Sequence, residues 1–398
     1  MALELNKLTQ AVNQLSLTLA AKLTDLEARL PIAQAALRAI ADPAADLRRK
    51  VEAALHLRWA GAIPTAEAVD AAFPPPDLAA RHTVIAADGS QIYPDRHGVA
   101  LYYLINIGSI VFRAGLERAP STASTPQVFY EDADLYEVDG GQKPAVLIDA
   151  ERDRRELAEL ARLAAPEAAS APTLAVLDNG LLLYLSLQIN DQHLIRQKIG
   201  EYLDQLDQLR DTGAAVAGVV DRPRAANVVR LLHLHGLALD QVREETLRDL
   251  GPAYTGLTDG LLFNFLAPGQ RSALFVNASP NNELYYRDRG HTIYFFYLNA
   301  GRPGQPGLLR VEVPEWVAND PARLNLTHAA LVSQSQVSAG FPYVLVRAHE
   351  LAVVTQGERR TFDEMVMGAM IRRQLAPGLS HKAQGKAWTG AARRRFGR

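Results

Sequence analysis

The chain has 398 residues, of which 48% are hydrophobic and 22% charged, so it is expected to be globular and can form more than one domain. It has no cysteine, which excludes disulfide frameworks, thiol catalysis and thiolate zinc sites. The net charge of −2 gives no overall attraction to nucleic acid. Because the start lacks a secretory signal pattern and no run of about 20 apolar residues occurs, we expect a cytoplasmic protein without a membrane span.

The N-terminal region predicts helices. An approximate heptad of apolar residues runs until Pro31 and consists of Leu8, Val12, Leu15, Leu19, Leu23, Leu26 and Leu30. Further helices are predicted at 32–40 and after Asp42, which is expected to cap the second of them. Packing of the stripe against its own domain is the simpler expectation, and a coiled coil with a second copy is the alternative. The proline-rich segment 61–82 predicts a linker, so residues 1–80 form a predicted helical region with its linker.

Strands and helices alternate in the rest of the chain. Strands are predicted at 83–87, 99–115, within 173–185 and from 214, with loops and a hairpin at 116–142. Helices are predicted from Asp149 to before Pro172, at 191–213, and up to 236. Residues 291–317 predict a hairpin, and the capping-box spacing of Thr361 and Glu364 predicts a final helix. The pattern predicts an α/β domain at 81–375, with a mixed central sheet flanked by helices.

The tail, residues 376–398, is basic and has no acidic residue from 380 onward. Its charged and aromatic residues are Lys382, Lys386, Trp388, Arg393, Arg394, Arg395, Phe396 and Arg398. This composition suits a flexible arm that binds phosphates and stacks on bases. A solvated terminus without a ligand is the equal alternative.

Two carboxylates follow apolar strand patterns. Asp88 comes after TVIAA and is followed by Gly89, and Asp178 comes after TLAVL with a glycine two residues later. If these strands are neighbours, both carboxylates lie at one edge of the sheet, where a cation would relieve their repulsion. Each motif alone is also an ordinary turn signal, in which Gly89 lets the chain leave the strand and Ser90 supports the turn.

The predicted helix between them carries Arg152 and Glu156, one turn apart. Glu156 adjoins apolar residues and can point toward the sheet, although a surface ion pair is the alternative and Glu151 and Glu159 are competing acids. Two strand acids and one helix acid form the skeleton of a two-metal phosphodiesterase site that binds Mg²⁺ or Mn²⁺.

With these residues identified, the sequence resembles the NurA family of nucleases. The likeness rests on AADGS at 86–90, Arg152 to Glu156, LAVLDNG at 174–180, AGVVDRPR at 217–224, the strand pair YFFYL and RVEVPEW, and FPYVLVRAHELA at 341–352. It covers about residues 80–370 in the same order. Two departures are Asn179 in the second acidic motif and Asp221, where the family often has lysine.

The resemblance implies an RNase H-like fold and a homodimer that works with the hexameric translocase HerA in DNA end resection and repair. It implies a manganese-dependent DNA nuclease with 5′ to 3′ exonuclease and single-strand endonuclease activity. It places Asp88, Glu156, Asp178 and His349 at metal-binding or catalytic positions. Arg152, Arg222, Arg224 and the tail residues Arg393, Arg394 and Arg395 are the expected contacts to DNA.

Two other functions stay open. The chain can be a non-catalytic DNA-binding adaptor of the translocase, although the intact acidic set disfavours this. It can also be an actin-like ATPase or sugar kinase, which requires further glycine-rich phosphate loops, and the sequence contains no convincing one.

Overall fold

The computed structural model describes residues 5–40, 45–115, 117–137, 140–185, 188–305 and 307–375. The strands are β1 (Ala62–Pro64), β2 (Ala72–Phe73), β3 (His82–Ile92), β4 (Tyr103–Ala114), β5 (Ser121–Phe129), β6 (Thr173–Leu177), β7 (Ala215–Asp221), β8 (Arg271–Ser272), β9 (Phe275–Asn277), β10 (Ile293–Asn299) and β11 (Leu308–Pro314). The α-helices are α1 (Thr9–Ala39), α2 (Ala45–His56), α3 (Asp132–Leu135), α4 (Ala145–Ala168), α5 (Gln192–Thr212), α6 (Asn227–Gly236), α7 (Glu244–Arg248), α8 (Gly251–Tyr254), α9 (Asp259–Leu262), α10 (Glu315–Ala318), α11 (Pro321–Val337), α12 (Tyr343–Ala352) and α13 (Gln356–Arg372).

The chain divides into two compact units. The first contains the described parts of Met1–Leu78, Asn179–Leu182 and Ala215–Tyr343. The second contains the described parts of Ala79–Asp178, Leu183–Ala214 and Val344–Arg398. The domain boundaries predicted after residues 80 and 375 stay a prediction.

The first unit is built on an antiparallel sheet around β10. This strand pairs with β11 on one side and with β8 and β9 on the other, and β11 pairs with β7. Aromatic rings of Phe263, Phe275, Phe295 and Tyr297 pack together in its core, where all four are fully buried. The hairpin predicted from residues 291–317 is confirmed as β10 and β11.

Two predictions for the start of the chain are wrong. Helix α1 does not stop at Pro31 but continues through it to Ala39. An interior proline costs a helix about 3 kcal/mol, but the next turns bury Ala33 and Leu37 completely or nearly so, and this burial outweighs the cost. The segment predicted as a linker contains β1 and β2, which pair with β9 and β8. The predicted cap Asp42 lies outside the described residues.

The second unit has a mixed sheet in the order β6, β3, β4, β5. Strands β3, β4 and β5 are antiparallel neighbours, whereas β6 runs parallel to β3. Helix α4 buries Leu157, Leu160 and Ala164 completely, and α5 begins with Asp191 as its N-cap and ends at Gly213 in the left-handed conformation. The prediction of a mixed central sheet flanked by helices is confirmed.

The ends of the second unit differ from prediction in two places. Segment 121–129, predicted as loops and a hairpin, is the single edge strand β5. The last helix begins earlier than predicted, because Thr355 and Glu358 form the capping box and Thr361 lies inside α13. Within the described residues, no helix is both long and apolar enough to cross a membrane.

Candidate active site

Asp88 lies within β3, and Asp178 follows directly after the parallel neighbour β6 at the corresponding position. In the register of β3 with β6, Ala87 pairs with Leu177. Asp88 follows Ala87, and Asp178 follows Leu177. The parallel alignment therefore brings both carboxylates to the point where the pairing of β3 with β6 ends. Two patterns that look alike in the sequence therefore meet in the second unit.

The local prediction of a turn at Asp88 is wrong. Strand β3 continues to Ile92, and Gly89 pairs with Ile107 of β4 without a left-handed backbone conformation. Gly89 is needed for space, because a Cβ there would lie 2.5 Å from Arg152 Cγ and 2.6 Å from Glu156 Oε1. The glycine lets α4 bring its Glu156 carboxylate directly against the backbone beside Asp88.

Glu156 is a buried carboxylate, not a surface acid. Its side chain is 7% exposed and its Oε1 lies 3.3 Å from Arg152 Nε. Burial raises its pKa well above the ordinary value, and the charges of Asp153, Asp88 and Asp178 raise it further, whereas Arg152 lowers it. The three acids predicted from the sequence therefore lie near enough to influence one another.

Two further acids of α4, Asp149 and Asp153, were not predicted. Asp153 Oδ1 accepts a hydrogen bond of 2.7 Å from the Arg152 guanidinium, and burial raises the pKa of Asp153. Asp149 Oδ1 accepts hydrogen bonds from Tyr93 Oη at 2.5 Å and Gln91 Nε2 at 2.9 Å.

The sequence contained a signal for these two acids. Residues 149, 152, 153 and 156 have the spacing of a single helix face, so all four side chains lie on one stripe of α4. We name the five carboxylates of Asp88, Asp149, Asp153, Glu156 and Asp178 the acidic site.

The competing acids of α4 are engaged elsewhere. Glu151 pairs with Arg154 and Arg155, and although burial acts to raise its pKa, the arginines lower it overall. Glu159 pairs with Arg162 and accepts a hydrogen bond of 2.9 Å from Ser109 Oγ.

His349 reaches the site from α12. Its Nδ1 lies 2.8 Å from Asp88 Oδ2, and since the carboxylate accepts, Nδ1 carries the proton. The helix can approach β4 closely because Gly108 has no side chain: a Cβ there would lie 2.4 Å from both Ala348 O and Ala352 N. Gly108 is the residue of β4 that pairs with Asp88. Paired residues of neighbouring strands face the same side, so Asp88 and α12 share one face of the sheet, and Gly89 and α4 share the other.

Two polar side chains hold the end of α12 on β3 and β4. Ser90 Oγ donates to Ala352 O at 2.5 Å, and Asn106 Nδ2 donates to the same oxygen at 2.8 Å and to Leu351 O at 3.2 Å. These bonds satisfy carbonyls that a helix end leaves without partners. Ser90 thus anchors the helix that carries His349 and does not support a turn.

The arginines predicted to contact DNA are distributed over both units. Arg222 and Arg224 belong to the first unit, where both are exposed after β7, and Arg222 has a positive φ of 46°. Arg152 donates to Asp153 and to Gln91 Oε1 within the second unit. Residues Arg393, Arg394 and Arg395 lie outside the described residues.

In the described part of the chain, no three His, Asp or Glu side chains are grouped in a way that could hold a metal ion. Arg152 engages Glu156 and Asp153, and His349 engages Asp88. Three carboxylates of the acidic site, those of Glu156, Asp153 and Asp88, are therefore paired with Arg152 or His349.

The sequence matches the model of a known protein family. The NurA domain family matches residues 82–354, more than half of the chain, and the chain belongs to this family. Family membership supports a nuclease function. The predicted fold class of a mixed central sheet flanked by helices, with an N-terminal helical arm, is confirmed, and its description as RNase H-like stays a prediction.

Several solved structures are similar at low identity. The crystal structure of the NurA nuclease from Sulfolobus solfataricus shares 14% identity, over 82% of this chain and 92% of that one, with a TM-score of 0.44. The catalytic domain of human Endonuclease V shares 16% identity, over 80% and 96% of the chains, with a TM-score of 0.30. A type 1 RNase H with the type 2 active-site motif shares 13%, over 40% and 72%, with a TM-score of 0.21. These TM-scores are too low to support an argument about function. Among proteins with curated descriptions, none matches this chain.

Proposed function

We propose that this chain is a divalent-metal-dependent DNA nuclease whose centre is formed by Asp88, Glu156 and Asp178. The observation that carries the proposal is the register of β3 with β6, which aligns Asp88 with Asp178. Gly89 admits Glu156 from the opposite face, at the edge of β3 where the pairing with β6 has ended at Ala87. Strongly perturbed carboxylates gathered around one strand are typical of catalytic sites, because stability alone does not favour them.

The donor types of the site suit a hard divalent cation such as Mn²⁺ or Mg²⁺, although the described side chains are not grouped around one ion position. The donors are carboxylate oxygens, which these ions accept as ligands. The missing Cβ of Gly89 leaves a cradle beside Glu156 Oε1, and the raised pKa of Glu156 reports burial and an excess of negative charge that a cation would balance. When bound, the metal would activate water and stabilise the leaving oxygen of a phosphodiester.

The protein's own groups have separate roles in this proposal. Asp88, Glu156 and Asp178 are the metal ligands. His349 is oriented by Asp88 through Nδ1, which leaves Nε2 as the atom that accepts a proton in general base catalysis. Arg152 positions Glu156 and Asp153, and the exposed Arg222 and Arg224 contact the phosphates of DNA.

The resemblance to the NurA family supports a more specific proposal for the metal, the substrate, the type of cleavage and the partner. We propose manganese as the metal, single-stranded DNA as a preferred substrate, and 5′ to 3′ exonuclease with single-strand endonuclease activity in DNA end resection. We also propose that the chain acts in the cytoplasm as a homodimer beside a HerA-type hexameric translocase. The basic tail, with Arg393 to Arg395, adds phosphate contacts in this proposal.

Cleavage of labelled single-stranded DNA by the purified chain tests the proposal. We expect cleavage with Mn²⁺, none with EDTA, and a rate at least about 10³-fold lower for Asp88→Asn, because removal of a metal-binding charge abolishes nucleophile activation. Asp211→Asn is the matched control, since Asp211 is an exposed acid at the end of α5.

An undiminished rate for Asp88→Asn rejects the proposed centre. Retained DNA binding without cleavage by the wild-type chain under every metal condition supports the non-catalytic adaptor instead. One observation favours that alternative, namely the engagement of Glu156 and Asp153 by Arg152.

A further inference from the structure

The first unit contains a cavity that is formed without residues of the acidic site. It has a volume of about 410 Å³ and is lined by residues 57–60, which follow α2, by Arg230 of α6 and by three residues of α7. Every lining residue belongs to the first unit, whereas the five carboxylates of the acidic site belong to the second. The volume is within the range of cavities that bind small molecules.

Three arginine side chains line the cavity, and only one of them is paired with a carboxylate in the described part of the chain. Arg248 forms an ion pair with Glu244. Arg230 Nη1 donates to Ala60 O at 3.1 Å, and the Arg58 side chain makes no hydrogen bond or ion pair with the described residues. Two guanidinium groups therefore keep charges that no described carboxylate neutralises, and such groups are typical phosphate ligands.

Arg58 has a backbone conformation that disfavours arginine. Helix α2 ends in a Schellman motif, in which Arg58 N donates to Leu55 O at 3.0 Å and Trp59 N donates to Ala54 O at 3.2 Å. Arg58 occupies the left-handed position of this motif, with a φ of 56°, where glycine is the usual residue. Because glycine would suit this backbone better, stability does not explain the arginine, and such strained residues are concentrated at functional sites.

The cavity also has apolar walls beside these charges. Leu247 is buried, Leu57 is exposed, and Trp59 is only 4% exposed. The Trp59 ring lies against Gly61, where a Cβ would be 1.9 Å from Trp59 Cζ2. The indole N–H of Trp59 has no acceptor among the described residues, although a buried tryptophan usually has one. Apolar walls and a spare donor beside cations suit a phosphate ester that carries an organic group.

The charge of the cavity favours a phosphomonoester. A phosphate monoester carries about −1.5 to −2 charges at pH 7, which matches the two guanidinium groups of Arg58 and Arg230. A phosphodiester of a nucleic acid backbone carries only one negative charge, and a metal ion would be repelled. We propose that this cavity binds the terminal phosphate of a phosphomonoester with an organic group of nucleoside size, either a free nucleotide or the phosphorylated end of a DNA strand.

This phosphate site is separate from the proposed nuclease function. Arg58 and Trp59 precede residues 82–354, which match the NurA family, whereas Arg230 and Arg248 lie within them. The cavity therefore combines residues from inside and outside the matched region, and phosphate binding there needs neither a metal nor cleavage of DNA.

Isothermal titration calorimetry of the full-length protein with thymidine 5′-monophosphate tests the site. EDTA is present throughout, so that no metal can hold the phosphate at the acidic site. We expect the nucleotide to bind at least about 10-fold more tightly than thymidine, because only the nucleotide offers a charge to Arg58 and Arg230. No binding of the nucleotide at millimolar concentration, or equal affinity for thymidine, overturns the proposal.

The variant Arg58→Gly separates binding from folding. It should weaken nucleotide binding at least about 10-fold, because one of the two unpaired guanidinium groups is lost. Its stability in urea unfolding should be equal or higher, since glycine adopts the left-handed conformation without strain. Arg49→Gln is the matched control, because it removes the same charge from an exposed position of α2 that does not line the cavity. Its dissociation constant should stay within about 2-fold of the wild type, and equal weakening by the two variants contradicts the site.

Oligothymidylates with and without a 5′-phosphate distinguish the two sources of the phosphate. If the phosphorylated strand binds at least about 10-fold more tightly than the unphosphorylated one, and Arg58→Gly removes this difference, the ligand is a strand end. If only the mononucleotide binds, the ligand is a free nucleotide. Equal binding of both strands that Arg58→Gly weakens equally would show that the cavity binds backbone phosphodiesters, and would overturn the proposal of a phosphomonoester.

Discussion

Each unit of the protein buries a cluster of ionisable side chains, and the two clusters are balanced differently. In the first unit, Arg310 Nε donates to Glu312 Oε1 at 2.8 Å and Arg310 also donates to Tyr297 Oη at 3.2 Å. Tyr297 in turn donates to Asp259 Oδ2 at 2.7 Å. We name these four residues the Arg310 cluster. The second unit contains the acidic site, in which Arg152 is shared by two buried carboxylates.

Neighbouring groups shift the pKa of Asp259 in the Arg310 cluster and of Glu156 in the acidic site in opposite directions. Burial raises the pKa of Asp259, but the N–H groups of Val228 and Val229, the Tyr297 hydroxyl and Arg310 all lower it. Burial also raises the pKa of Glu156, and there three neighbouring carboxylates add to the effect while only Arg152 opposes it. The neighbours of Asp259 therefore stabilise its charged form, whereas most neighbours of Glu156 disfavour its charged form.

The largest expected effect separates activity from stability at the acidic site. In Glu156→Gln we expect cleavage of single-stranded DNA with Mn²⁺ to fall at least about 10³-fold, because a metal-binding charge is lost. The free energy of unfolding should stay equal or rise, because the variant removes a charge that burial and three carboxylates disfavour. A loss of more than about 2 kcal/mol in urea unfolding would show that the ion pair with Arg152 matters more for stability than this excess charge.

The next effect concerns stability at the Arg310 cluster. Arg310→Met should lower the free energy of unfolding by about 3–5 kcal/mol, because it leaves Glu312 and Asp259 buried without their cation. Arg248→Met is the control, since its side chain is 77% exposed and its ion pair with Glu244 should contribute less than about 1 kcal/mol. Equal losses in the two variants would contradict the assignment of Arg310 to stability.

A smaller effect tests how the fold delivers His349. Gly108→Ala should cost about 3 kcal/mol and reduce cleavage, because its Cβ would meet backbone atoms of α12 at 2.4 Å and force the helix away from Asp88. Gly200→Ala, in the middle of α5 with no atom within 4 Å, should instead stabilise the protein by about 0.5–1 kcal/mol. If Gly108→Ala retains both stability and cleavage, close packing of α12 is not what positions the histidine.

The sequence predicted the fold well where its signals were local. The helix pattern from 191 to Gly213 and the apolar run TLAVL before Asp178 each predicted an element that the structure contains. The predictions from the sequence were wrong where contacts between distant segments determine the secondary structure. Burial beyond Pro31 extends α1, and pairing with β9 and β8 turns a proline-rich segment into strands.

The candidate site was predicted as a set of residue types but not as a geometry. Asp88 and Asp178 could be paired from their similar motifs, whereas the role of Gly89 depends on atoms of α4 that are 60 or more residues away in the sequence. His349 came only from the family resemblance, because its position depends on the Gly108 contact and on the hydrogen bonds from Ser90 and Asn106. A search for helix-face spacing around Glu156 would have found Asp149 and Asp153.

The smallest predicted effect concerns His328, a group of the first unit that burial keeps neutral. Its Nε2 donates to Gly269 O at 2.7 Å, and burial lowers its pKa to about 4. The unfolded chain binds this proton near pH 6.5 and the folded chain does not, so stability is complete above that pH and falls as the pH drops toward 4. From pH 7 to pH 5 the loss should be about 2 kcal/mol in urea unfolding. His328→Gln should lack this part of the pH dependence, and identical slopes for the two proteins would place the proton uptake elsewhere.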